Sequence, residues 1–177
     1  RISYLDIGFD LSHVPTDYFP LLDLFGTITT EIGTSKLDYM QFAKETATCT
    51  GGLNHSINTY TTYGEPDSVR PILWINVKML PEYLERGIDL LSQIFSDLSL
   101  RDRGRIAEIV RREFAWAEHS TQSEGYGLAS TRVFSHLSLA GRYQEAYSGV
   151  SAYRRLKELA LGYQGQEDAF LSTLERL

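Results

Sequence analysis

Residues 71–80, PILWINVKML, decide the architecture. Leu73, Ile75, Val77 and Met79 alternate with residues such as Asn76 and Lys78, which is the period-two pattern of a strand with one apolar face. Upstream, residues 53–63, LNHSINTYTTY, are rich in Thr and Tyr and carry no helical stripe, so they read as a second strand. The segment GEPD, Gly64 to Asp67, reads as the turn between them. An antiparallel hairpin of 53–63 against 70–80 follows. Residues 2–11, ISYLDIGFDL, are short, apolar-rich and partly alternating, and add a strand at the start.

The remaining segments read as helices. After Pro15, Leu21, Leu24, Phe25, Ile28 and Ile32 recur at three- and four-residue spacing and form one stripe. Gly33 is a natural stop, because it accepts positive φ without penalty. Ser35 followed by Asp38 resembles a capping box for a helix from Lys36 to about Thr48. Beyond Pro81, Leu84, Ile88, Leu91 and Phe95 define one side of a helix, and Ile106, Ile109, Val110, Phe114 and Ala117 define another. A helix over 125–140 and shorter helices near 151–161 and 165–177 complete the chain. The expected fold class is α+β, with helices packed on one face of an antiparallel sheet. Residues 1–80 form the strand–helix–helix–hairpin part and 81–177 the helical part of a single domain.

The 177 residues suffice for one sizeable core. The net charge of −6 gives no basic face for phosphate, so nucleic acid is not an expected partner. No apolar run approaches the length of a membrane span, so no membrane partner is expected. The chain opens at Arg1 directly on a strand pattern, without a basic n-region or apolar h-region, and reads as a piece of a longer polypeptide. A single cysteine, Cys49, excludes an internal disulfide framework. Flanked by Thr48 and Thr50 beside Gly51-Gly52, it reads as a small, partly buried residue at a helix end rather than a nucleophile.

Motifs for catalysis are missing. His13, His55, His119 and His136 have no histidine partner at metal-binding spacing, and one cysteine cannot build a thiolate zinc site. There is no phosphate-cradling glycine loop of the usual kind. SEGYGLAS, Ser123 to Ser130, lacks a preceding strand and reads as a helix start. Glu108, Glu113 and Glu118 lie five apart and do not stack on one helical face. Arg101, Arg103, Arg105, Arg111 and Arg112 alternate with acids and read as a solvated, ion-paired face. Phe114 and Trp116 read as core by default, with the lining of a cavity as the alternative.

Four stretches together resemble the pitrilysin/insulinase zinc metallopeptidases, specifically the presequence-protease subfamily. They are YLDIGFDLSHVPTDYFPLLDLFGTITTEIGTSKLDY (4–39), TGGLNHS (50–56), SEGYGLASTRVFSHLSLAGRY (123–143) and YSGVSAYRRL (147–156). The resemblance implies a metallohydrolase-like repeat, the third of four related α+β domains, which opens the C-terminal half of such an enzyme. It places Leu24, Phe25, Gly26, Thr27 and Ile28 where an active repeat carries H-x-x-E-H, and Ala107 or Glu108 near the third ligand. Catalytic and metal-ligating residues are therefore expected to be none here. Zinc is expected in another domain of the parent chain. The implied partners are the parent's other domains and unfolded or targeting peptides. The implied location is cytoplasmic in a bacterium and the organellar matrix or stroma in a eukaryote. In the active repeat the strand after Gly-Gly can pair with substrate, and Asn54, His55, Ser56 and Asn58 are the matching peptide-contact candidates.

The leading expectation is a non-catalytic chamber domain of a peptide-degrading zinc endopeptidase. One alternative is an autonomous scaffold or binding module with the same fold. Another is an enzyme using unrecognised residues such as His55, His119 or Glu113.

Overall fold

The computed structural model describes residues 1–123 and 125–177. Strand β1 (Ser3–Asp10) leads through a short 3-10 helix at Thr16–Leu21 into α1 (Leu22–Glu31) and α2 (Tyr39–Cys49). The hairpin of β2 (Gly52–Thr62) and β3 (Glu65–Met79) follows. The rest is helical: α3 (Leu84–Asp97), α4 (Arg103–Ser123), α5 (Gly125–Phe134), α6 (Leu139–Ser148) and α7 (Val150–Leu174).

The three strands form one antiparallel sheet in the order β1-β3-β2. Both pairs run antiparallel, with Ile7 opposite Ile75 and His55 opposite Ile75 on the other side. The alternation in β3 is as the sequence requires: Leu73, Ile75, Val77 and Met79 are all buried. They meet helices on one face, and the fold is the expected α+β layer. The helices stand in two tiers. Leu90, Leu91 and Ile94 of α3 join Ile75, Val77 and Met79 in one apolar cluster. Tyr147 of α6 joins Leu73 and Phe19 in another. Behind them α4 packs on α1 and α7, around Ile106, Ile109 and Val110, which have no exposed surface.

Several local readings change. The hairpin turn is tighter than Gly64 to Asp67. Tyr63-Gly64 alone turns the chain, and Glu65 already pairs with Thr62. Gly64 sits at φ +82, which lets the strand rejoin at once. The cap of α2 is Asp38 rather than Ser35. Its carboxylate accepts from the Gln41 N–H at 2.8 Å and the Gln41 side chain returns to the Asp38 N–H at 3.2 Å. Ser35 instead hydrogen-bonds Asp97. The helix expected over 125–140 ends at Phe134, and Ser138 caps a separate α6 by accepting from the Gly141 N–H at 3.0 Å. Of the Ser123–Ser130 stretch, Glu124 lies outside the described residues, and α5 runs on from Gly125. The two expected C-terminal helices are both present within α7, joined end to end at a kink at Gly162, whose φ of −107 and ψ of 15 leave the helical region.

The stripe on α3 also differs. Its buried row is Gly87, Leu90, Leu91 and Ile94. Leu84, Ile88 and Phe95, expected inside with Leu91, are respectively 38%, 48% and 42% exposed. Gly87 decides the rotation, because a Cβ there would press on the Met79 sulfur at 2.5 Å, so the backbone itself approaches the sheet.

The α5–α6–α7 corner is held by a buried carboxylate. Glu145, 6% exposed, accepts from Arg132 at 2.8 Å, from the Ser151 hydroxyl at 2.8 Å and from the Ser151 N–H at 3.2 Å. Burial opposes its ionisation, but the Ser151 hydrogen bonds and the Arg132 guanidinium outweigh that and hold its pKa below the ordinary glutamate value. A carboxylate with a depressed folded pKa adds stability above its unfolded pKa, and the gain disappears as pH falls through the folded value. Glu145→Gln is therefore expected to lower stability by about 1–3 kcal/mol at neutral pH. In urea unfolding, the gap to the wild-type chain should narrow once the pH drops below about 4.

Candidate functional site

The helix that the sequence marks as a former site helix is α1. Pro15 caps the 3-10 helix that leads into it, and the apolar pair Leu21-Leu22, both buried, begins it. Its threonines are compatible with burial because each hydroxyl finds a carbonyl one turn back. Thr29 donates to Phe25 O at 2.8 Å, Thr30 to Gly26 O at 3.0 Å and Thr27 to Asp23 O at 3.3 Å. Gly33, at φ +95, ends the run as expected.

Leu24 is 5% exposed, Thr27 7% and Ile28 0%. Leu24 and Ile28 share one buried cluster with Ile106, Ile109 and Val110 of α4 and Leu159 of α7. Ala107 and Glu108 stand apart from that seam. Ala107 lines a groove with Ala160 and Gly162, and Glu108 points to solvent to pair with Arg105 at 3.0 Å. Among the described residues no three His, Cys, Asp or Glu side chains lie close enough together to hold a metal ion.

An ion cluster between α1 and α4 escaped the sequence reading. Glu31, at the end of α1, accepts from Arg112 at 2.7 and 2.8 Å and from Arg105 at 2.9 Å. Arg112 also meets Glu113 at 2.8 Å, and Arg105 lies 4.9 Å over the Tyr39 ring. The arginine face of α4 is thus partly a cross-link between helices, not wholly a solvated surface. Arg105 and Arg112 are seven residues apart, two helical turns, and that spacing was the available signal. The hydrogen bonds that Arg112 donates to Glu31 hold its guanidinium more firmly protonated than an ordinary arginine.

Strand alternation separates the peptide-contact candidates. Asn54, Ser56 and Asn58 share the open outer face with Trp74 and Asn76, while His55 points inward. On the outer face Asn76 donates to Asp6 at 2.7 Å, and the Trp74 indole N–H donates to the Tyr60 hydroxyl at 3.0 Å. Ser56 reaches Asn76, and Asn58 reaches Ser56, both at 3.4 Å. His55 lies across the backbone of α1 at Gly26, with Nε2 3.2 Å from Asp23. His13, His119 and His136 are exposed and far apart in the chain. Cys49 is buried, and burial pushes its thiol pKa up, so it is a neutral core thiol.

A cavity of about 320 Å³ opens beside Leu24, between Asp23, Glu113, Trp116, Tyr147 and Tyr153. Trp116 is 66% exposed and forms its rim, which follows the cavity reading of this residue and not the core one, whereas Phe114 lies against the Tyr153 ring at 6.4 Å. This arrangement can shelter a side chain. It supplies no ligand set or base at Leu24, Thr27 or Ile28 with which to activate water.

Residues 1–159 match the family described as "Peptidase M-16C associated". The chain is similar to "Protein HypA" of Clostridium perfringens, 29% identical over 153 residues, covering 86% of this chain and 16% of that protein. It is similar to "Presequence protease 1, chloroplastic/mitochondrial" of Arabidopsis thaliana, 23% identical over 176 residues, covering 99% of this chain and 16% of that protein. It is also similar to "Presequence protease, mitochondrial" of Xenopus tropicalis, 25% identical over 150 residues, covering 85% of this chain and 15% of that protein. The chain thus spans about one sixth of the length of these relatives.

The fit of His55 on Gly26 is testable. A Cβ at residue 26 would overlap the imidazole ring. Gly26→Ala is expected to cost about 1–3 kcal/mol. Adding His55→Ala should recover part of that loss, so a double-mutant cycle in urea should return a clear coupling energy between the two positions.

Proposed function

The chain belongs to the peptidase M-16C associated family, and from that premise we propose that it is a non-catalytic domain of a zinc-dependent endopeptidase that degrades unfolded or targeting peptides. The domain is the third of four related repeats and opens the C-terminal half. Residues 1–177 act as one unit that supplies chamber wall and contact area, while a zinc-bearing domain elsewhere in the parent performs hydrolysis. Its partners are the parent's other domains and, in the assembled enzyme, the peptide itself. Asn54, Ser56 and Asn58 on the outer sheet face are the proposed peptide contacts, with His55 bracing α1 from the inner face.

The observation that carries this reading is the burial of Leu24, Thr27 and Ile28. A zinc site needs three nitrogen or oxygen ligands and an open coordination position for water. Here the corresponding turns are inside the protein, where each large aliphatic side chain contributes roughly 1.5–3 kcal/mol through burial. Similarity to presequence proteases supports the peptide class. No helix among the described residues is long and apolar enough to cross a membrane. That accords with work in a bacterial cytoplasm, or in a mitochondrial matrix or chloroplast stroma, as the relatives' names suggest for eukaryotes.

Peptidase assays on the chain, with and without added zinc, should stay at background. Turnover that a chelator abolishes would overturn the proposal. Restoring the motif through Leu24→His, Thr27→Glu and Ile28→His together should yield no tight zinc binding by calorimetry. It should also lower stability by about 3 kcal/mol or more, because polar groups then enter an apolar seam.

A further inference from the structure

The cavity beside Leu24 has a chemistry that a plain chamber wall does not need. Its volume of about 320 Å³ is at the lower end of the range for pockets that hold organic groups, the size for one side chain rather than a nucleotide. It opens between the first turn of α1, the second half of α4 and the junction of α6 with α7. Trp116, Tyr147 and Tyr153 bring three aromatic rings to it, and Asp23 and Glu113 bring two carboxylates. Among the described residues no lysine, arginine or histidine lines it.

Each carboxylate keeps one oxygen for a guest. Arg112 donates only to Oε1 of Glu113, through Nε at 3.0 Å and a terminal nitrogen at 2.8 Å. His55 meets only Oδ1 of Asp23, at 3.2 Å. Among the described residues, Glu113 Oε2 and Asp23 Oδ2 accept no hydrogen bond. The Glu113 side chain is only 26% exposed, and partial withdrawal from water strengthens its pull on a positive charge. The face of Trp116 stands open at the rim.

These features select the charge and the kind of guest. The start of α7 borders the cavity at Gly149, and a helix start favours an anion. That end is already served by the Glu145 carboxylate, which accepts from the Ser151 N–H at 3.2 Å. A further anion would be repelled by Asp23 and Glu113. A hard metal ion takes about six or more oxygen ligands, which two carboxylates among aromatic walls do not supply. Aromatic faces attract organic cations, and a guanidinium also lies flat on a ring while its fork donates to a carboxylate.

We propose that this cavity binds a basic side chain, arginine in preference to lysine, carried by an unfolded peptide. The side chain enters past Trp116, lies along the rings of Trp116 and Tyr153, and ends at Glu113 Oε2 and Asp23 Oδ2. The inference rests on the peptide-handling function proposed above, to which it adds a side-chain preference.

Calorimetry on the full-length polypeptide, with a chelator present to suppress hydrolysis, tests it. The probes are a capped glycine–serine pentapeptide with a central arginine, and the same peptide with citrulline, which keeps the shape and loses the charge. The arginine peptide should bind at least about ten-fold more tightly. Trp116→Ala and Glu113→Gln should each cut that preference to about three-fold or less. Trp116 is a rim residue, so its truncation should leave the melting temperature within about two degrees of the unmodified polypeptide. Equal affinities for the two peptides would overturn the inference. So would an arginine preference that survives both substitutions, because binding would then lie elsewhere. A preference present in the 177-residue chain but absent from the full-length polypeptide also overturns it, since a basic residue of the parent itself would fill the cavity. Chelator-sensitive turnover by the 177-residue chain sinks the proposed function, whereas equal affinities in a full-length polypeptide that still degrades peptides sink this inference alone.

Discussion

Two turns of α1, at Leu24 and Ile28, lie in one dry cluster with Ile106, Ile109 and Val110 of α4. That seam joins the layer next to the sheet to the tier behind it. Every other arrangement in the molecule accommodates it. Because the hydroxyls of Thr27, Thr29 and Thr30 are satisfied within their own helix, α1 can be buried on several sides without stranding polar groups. Glu31 then fixes the far end through Arg105 and Arg112. A partly buried, multiply bonded carboxylate of this kind sets the rotation of α4 on α1 more than it adds net stability. In that seam Leu24 and Ile28 present packed aliphatic side chains, which offer a metal ion neither polar ligands nor solvent access.

The sheet divides the protein into two chemical environments. Its inner face is largely apolar, with polar side chains at His55, whose ring is seated over Gly26 and tethered to Asp23, and at Thr59, which donates to the Tyr147 hydroxyl at 3.5 Å. Its outer face is an open ladder of Asp6, Asn76, Ser56 and Asn58 beside the Trp74–Tyr60 pair. A surface with short polar side chains and the paired rings of Trp74 and Tyr60 suits contact with an extended polypeptide or a neighbouring domain.

Much of this was legible in the residues. The strand at 71–80, the apolar stripe of α1, its stop at Gly33 and the buried row of α4 follow from periods of two and 3.6 and from one positive-φ glycine. That Leu24, Thr27 and Ile28 carry no imidazole or carboxylate is a matter of residue type alone. Other readings failed for identifiable reasons. Ser35 and Asp38 are both good caps, and only the tertiary contact of Ser35 with Asp97 chooses between them. On α3, two apolar rows compete about 90° apart, and period cannot rank them. The close approach that Gly87 permits over Met79 selects the row containing Leu90 and Ile94.

By itself, then, the amino-acid order determined which segments are strands and helices, which faces are apolar, and that no set of metal ligands or catalytic base occupies the α1 positions. These are local properties, set by backbone preference and by the chemistry of each side chain. The folded structure alone decided that Glu31 reaches Arg105 and Arg112, that Glu145 ties three helices together, and that His55 parts from Asn54 and Ser56 to lie on Gly26. It also decided which side of α3 stays bare. Those outcomes depend on where distant segments meet, and the free energy that selects them comes from close packing and desolvation between residues far apart in the chain.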